Sequence, residues 1–202
     1  MKRLIALSTV ALALSACGNG VGLPSKDTSL KDQLRNPLYA EFYYQDFVET
    51  LVSLSLQDDP ILEKPGVRAS VDRARVRALE HANLAEEAQD EGRRGSFISD
   101  RLWVEGEALL LDGVLYLGPT FNSAPGPELS MYLTTTIDPR DGDFPDETAV
   151  KLGTVKNQYG AHAYVVPVDT PRSGTGALRT AVLWDDELGM LYGFAQLSLV
   201  TP

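Results

Sequence analysis

Few side chains in this sequence sit where type and spacing together could do chemistry. Cys17 is the single cysteine, directly after Leu14-Ser15-Ala16, so its thiol can be acylated but has no second sulfur to join in a disulfide or a thiolate metal cage. The run Asp138 to Glu147 (DPRDGDFPDE) is the densest group of carboxylates in the chain. Such oxygens could ligate Ca²⁺, although their order departs from the D-x-[DN]-x-[DN]-G spacing of an EF-hand loop. The same residues serve a solvated turn, where Asp, Gly and Pro are used for their backbone habits. Neither His81 nor His162 has a Cys, His or carboxylate at a recognisable ligand spacing. The chain holds no G-x-S-x-G elbow, no G-x-G-x-x-G or Walker loop and no H-E-x-x-H helix. A redox cofactor would have to ligate through His162, His81, Met131, Met190 or tyrosines, and a hydrolase would need a Ser–His–Asp set assembled from distant positions. The expectation is a protein that is not an enzyme and carries no cofactor and no metal.

The elements that would position these residues are mostly β. Asp112-Gly113 separates the apolar runs Leu109 to Leu111 and Val114 to Leu117, a pattern that predicts a two-residue hairpin loop. Both runs are apolar on nearly every position, as in strands covered on both faces. Phe121, the Pro125-Gly126-Pro127 corner and a third strand from Leu129 follow. Further short apolar runs over Phe97 to Val104, Ala149 to Val155, Ala161 to Val166, Leu178 to Trp184 and Met190 to Val200 complete an antiparallel sandwich or barrel. Most of the tyrosines and Trp184 read as its core, with some free to line a groove.

Two helices precede it. Tyr44, Phe47, Val48, Leu51 and Leu54 share one face of a helix over Pro37 to Leu56, which Asp58-Asp59-Pro60 ends. A second helix over Pro65 to Glu91 lines one face with Val67, Val71, Ala74, Ala78, Ala82, Ala85 and Ala88. Small residues facing aromatics suit a closely packed antiparallel hairpin; an aromatic stripe that holds a cofactor is the less economical reading. Gly92-Arg93-Arg94-Gly95 reads as the boundary between the hairpin and the β-domain. The fold class expected is therefore α+β: a helical hairpin over residues 30–92, then a mainly antiparallel β-sandwich over 93–202.

The start of the chain sets its compartment. Met1-Lys2-Arg3 is a basic n-region and Leu4 to Leu14 an apolar run too short to span a bilayer, which together read as a signal peptide over residues 1–16. Leu14-Ser15-Ala16-Cys17 resembles a bacterial lipobox, implying cleavage before Cys17 and acyl chains, palmitate among them, on the new terminus. Those chains would anchor the protein in a membrane. Residues 17–29 are rich in Gly and small polar side chains and read as a tether. Gly18 stands where an Asp would resemble an inner-membrane retention signal, so in a host with two membranes the outer membrane is expected. The 202 residues carry a formal charge of −10, from 18 basic and 28 acidic side chains. That surface repels phosphate backbones, so no nucleic-acid partner is expected.

The β-half also resembles a known family. Leu115-x-Leu117 with Phe121, Gly126-Pro127-Glu128-Leu129 and Tyr132-Leu133 is similar to the F…GPDL…VYL block of the DM-thirteen domain. Leu152-Gly153, Lys156, Gly160, Tyr164 and Pro167 resemble its second block, and Ala181-Val182-Leu183-Trp184 with Tyr192-Gly193-Phe194-Ala195-Gln196-Leu197 its closing V-x-I-W-C…F-G-x-A-x-L. The resemblance covers about residues 97–199 and implies a compact extracytoplasmic β-sandwich. The cysteine on which the family's electron-transfer reading rests is Asp185 here, and a carboxylate cannot form a disulfide or cycle between thiol states. The surface implied by the resemblance comprises Phe121, Gly126, Pro127, Glu128, Tyr164, Trp184 and Asp185. A lipid-anchored envelope protein that binds or organises surface components, with an envelope protein or polysaccharide as partner, is the function these readings favour.

Overall fold

The computed structural model describes residues 29–170 and 177–199; the leader, the lipidation at Cys17 and the tether before Ser29, all expected from sequence, lie outside them. The described chain is α+β, with helices first and an antiparallel sheet after them. A one-turn helix α1 (Leu30–Gln33), capped by Ser29, leads into α2 (Pro37–Leu56). A 3₁₀ turn over Pro60–Glu63 then joins α2 to α3 (Val67–Asp90). Pro65 and Gly66 fall in the turn rather than the helix, Gly66 taking a φ of +80° as its N-cap. No helix among the described residues is long and apolar enough to cross a membrane.

The strands are β1 (Arg93–Ser99), β2 (Val104–Glu105), β3 (Glu107–Leu111), β4 (Val114–Leu117), β5 (Asn122–Ser123) and β6 (Leu129–Thr134). They continue with β7 (Val150–Thr154), β8 (His162–Val165), β9 (Thr180–Asp185), β10 (Met190–Gln196) and β11 (Ser198–Leu199). Nine of them form one sheet in the order β7-β6-β9-β10-β1-β3-β4-β8, with β11 also on β1, while β2 and β5 pair separately. The Asp112-Gly113 hairpin forms as expected: both residues have positive φ, 50° and 75°, and Leu111 pairs with Val114. That is the primed turn whose twist matches its strands.

The sheet folds into two layers at β1. Its first half pairs with β3 (Arg93 with Leu110, Ser96 with Glu107), and its second half pairs with β10 (Phe97 with Ala195, Ser99 with Gly193). Gly95, paired with Ala108 just before the switch, is where any Cβ would collide with the main chain of Gln196. The Gly92–Gly95 stretch, where α3 has ended and β1 begins, therefore also leads into the sheet's corner. The strand expected over Phe97 to Val104 also divides, because Ser99 Oγ and Val104 exchange two 2.9 Å hydrogen bonds that close a loop between β1 and β2. Phe97, Leu115, Phe121, Met131, Leu183 and Tyr192 are among the buried side chains that fill the space between the layers.

The hairpin packs the expected faces together, with Phe47 turned outward. Leu51 of α2 and Ala78, Ala82 and Ala85 of α3 are buried, and Tyr44 of α2 stacks on His81 of α3 at 4.8 Å. Small side chains let the two helices approach closely. Tyr39, Tyr43 and Phe47 stack as a ladder along α2, with centroids 6.3 and 6.5 Å apart, and Phe47 is 37% exposed.

Hydrogen bonds seat the hairpin on the β-domain. The buried Asn36 caps α2 by accepting from Leu38 N at 3.1 Å, and its Nδ2 donates to Leu117 O of β4 at 2.7 Å. Gln89, also buried, donates to Glu41 Oε2 at 2.7 Å and accepts from Arg94 of β1 at 3.1 Å, while Arg94 holds Glu107 of β3 at 2.7 Å. Replacing Asn36→Ala removes a cap and strands the Leu117 carbonyl, for an expected loss of about 2 kcal/mol. Denaturant unfolding measures it, and a variant as stable as the parent would remove Asn36 from this role.

Candidate functional site

The residues of the implied surface divide into three places. The first is a junction of two loops at one end of the sheet: Pro125 to Glu128, which leads into β6, and Asp186 to Gly189, which joins β9 to β10. Asp185 lies between them with no solvent exposure. Its Oδ1 accepts from Glu187 N at 3.1 Å and Leu188 N at 3.0 Å, and its Oδ2 faces Glu128 N at 3.5 Å. Tyr192, fully buried beside it, donates to Pro125 O at 3.0 Å. Burial, with the Asp185 charge next to it, holds that phenol above its ordinary value. Gly126 fits because a Cβ there would strike the Asp185 carboxylate and the Tyr192 hydroxyl. Gly126, Pro127, Glu128 and Asp185 are thus brought together. Asp185 accepts from backbone N–H groups of both loops, which makes it an organiser of loops.

Trp184 belongs to a second place. Adjacent strand residues face opposite ways, so while Asp185 points inward Trp184 lies on the outer face of the sheet. There Phe144 packs on it at 5.2 Å and on Tyr132 at 5.6 Å. Phe144 comes from the acidic run, most of which is the solvated turn expected, with Arg140 to Asp143, Pro145 and Glu147 exposed; among the described residues no group of three or more His, Cys, Asp or Glu could hold a metal ion. The run is a cover over the outer face. Arg140 lies 5.0 Å from the Phe194 ring and is held by Asp138, and Asp146 accepts from Thr134 Oγ1 and from Thr148 N, each at 2.7 Å. Burial alone would raise the Asp146 pKa, but the bonds from Thr148 and Thr134 outweigh it and hold the carboxyl below its ordinary value. Asp186, likewise held low against burial, accepts from Lys151 at 2.7 Å and Tyr132 at 2.6 Å. Sequence reading missed Tyr132, Phe144, Lys151 and Asp186 as a unit.

Phe121 and Tyr164 form the third place, inside the β-domain with His162. Phe121 meets the imidazole edge-on at 5.7 Å, and Tyr164 stacks on it at 6.2 Å. His162 Nε2 and Tyr164 Oη are buried with no hydrogen-bond partner. Burial pushes the Tyr164 phenol up to about 12. His162 therefore engages neither a serine nor a carboxylate. His81 lies far from this interior, exposed on α3 and stacked on Tyr44 at 4.8 Å. Met131 is core and Met190 half-buried.

Two measurements follow from this geometry. Asp185→Ala frees three main-chain N–H groups and is expected to cost about 2–3 kcal/mol, whereas Asp185→Asn keeps an acceptor and should cost less. Equal losses in both would mean that the carboxylate does not hold the loops. Burial holds His162 below its ordinary value of 6.5, the carbonyls of Asn157 and Tyr159 offset this in part, and Lys156 adds to the depression. The unfolded chain then binds its proton at higher pH than the folded chain. Stability from the neutral ring is complete above about pH 6.5 and declines as pH falls through the depressed folded value. In melts across pH, His162→Phe should flatten that slope; a slope of unchanged size would assign it to other groups.

Comparison with protein families, with curated proteins and with solved structures found no match to this chain.

Proposed function

We propose that the chain is a lipid-anchored cell-envelope protein whose DM-thirteen-like β-domain is a non-enzymatic binding or surface-organising module, with the hairpin as its spacer or docking arm. The observation that carries this reading is the loop junction at Asp185. Residues far apart in sequence, Gly126 to Glu128, Asp185 and Tyr192, meet there; Gly126, Pro127 and Tyr192 belong to the blocks that resemble the family, while Asp185 stands where the family has cysteine. The buried carboxylate fixes two loops whose outer residues, Pro127, Glu128, Glu187 and Leu188, are exposed. A rigid display of this kind suits recognition, because little ordering entropy remains to be lost on binding. The anchor is argued from Leu14 to Cys17 and from the tether that follows.

Two experiments test the reading. Cys17→Ser should move the protein from the membrane to the soluble fraction of its host and abolish labelling by a radioactive fatty acid; retention in the membrane fraction would refute the anchor. The chain purified from that host should show no visible absorbance and no stoichiometric transition metal. A chromophore would replace the binding reading with a redox one and direct attention to His162 and His81.

A further inference from the structure

The hairpin carries charges that its own fold leaves unmatched. α2 has three acids, Glu41, Asp46 and Glu49, and no lysine or arginine. The first half of α3 has Arg68, Arg73, Arg75 and Arg77 against the single acid Asp72, and the second half has Glu80, Glu86, Glu87 and Asp90 with no lysine or arginine. This order opposes the helix macrodipole, which favours acids at the N-terminal end and bases at the C-terminal end, so the segregation does not serve α3 itself. Nor does it serve the seam: no ion pair among the described residues joins α2 to α3, and none involves Asp46, Glu49, Arg73 or Arg77. Arg68 and Arg75 reach only Asp58 and Asp72, at 3.9 and 3.8 Å. The same two helices leave Phe42, Val76 and Leu84 between 51% and 60% exposed, because a seam of alanines and one buried leucine covers little apolar surface.

We infer that this hairpin is half of a four-helix bundle, completed by the hairpin of a second copy of the chain, with α2 of each copy lying against α3 of the other. The charges select that occupant. A two-fold axis makes the contact isologous, so one rule, acidic α2 on the basic half of α3, is satisfied twice. Pairing α2 with α2 would set acids against acids. The bundle would also cover the exposed apolar side chains of both hairpins, as core-facing helices require. The inference does not rest on the lipid anchor or on the β-domain's partner.

Sedimentation equilibrium of the full chain in a density-matched detergent tests it. At about 100 μM, above the weak end of interface affinities, the parent should have dimer mass. Asp46→Arg with Glu49→Arg, and separately Arg73→Glu with Arg77→Glu, should each weaken self-association about tenfold or more. All four positions are exposed, so both variants should keep their helical circular dichroism. Mixing the two variants should restore the dimer, because the reversed α2 of one then faces the reversed α3 of the other. A parent that is monomeric at this concentration, variants that associate as the parent does, or a mixture that stays monomeric would each overturn the inference. If either variant loses helicity, the salt dependence of the parent decides: its dissociation constant should rise with salt, and a salt-independent constant overturns the pairing.

Discussion

The β-domain depends on one close approach, at Gly95. There the main chain of β1 passes so near the Gln196 peptide that no side chain fits, and this lets a single strand leave one layer and join the other. A sheet that turns at its middle strand encloses its own core, and the inward rows of β4 and β8 come to face those of β6, β9 and β10. The second approach follows from the first. Once β9 and β10 are committed to the second layer, the loop that joins them must close beside the loop that leads into β6, and Gly126 is the residue that lets them meet. Glycine is needed at both points because contact, rather than a backbone dihedral, excludes anything larger.

Carboxylates hold what the strands bring together. Asp185, Asp186 and Asp146 each accept two or more hydrogen bonds from groups on neighbouring turns or strands. These are charge-assisted bonds from main-chain N–H, hydroxyl and ammonium donors, stronger than neutral ones. A net charge of −10 is therefore not only a surface property: part of the acid content of this chain is structural, spent on fixing loops.

Much of the fold was legible from local rules, and the failures share a cause. Asp112-Gly113, the strands from Leu129 and Leu178, and both long helices follow from spacing and turn chemistry, which act over a few residues. The cover formed by the acidic run did not. Its signal was indirect: β9 and β10 are apolar on both faces, so the outer row of Val182 and Phe194 needed a lid, and the longest loop lay between β6 and β7. A reading confined to the run itself sees only aspartates, prolines and glycine. On the face expected for α2, Leu51 is buried and Tyr44 meets His81 of α3, while Phe47 turns outward onto Tyr43. The junction at Asp185 was legible only in part. The resemblance named its residues, but that the carboxylate would face inward toward Gly126 and Tyr192, with Trp184 turned to the opposite face, depends on strand register that no local pattern supplies.

Asp185 also settles what its position asks of a side chain. The turn after β9 presents two N–H groups to one oxygen, and the loop before β6 presents a third to the other. A carboxylate has two oxygens, each with acceptor capacity to spare, and can serve both loops from one place. A thiol offers one weak acceptor and could hold neither as well. Where the resembled family places cysteine, this chain has a group that cannot carry electrons but can lock two loops. The geometry around it is built to match: Gly126 makes room, the buried Tyr192 ties down the Pro125 carbonyl, and exposed residues on both loops are held in fixed relation. Rigidity at that junction is what the carboxylate supplies.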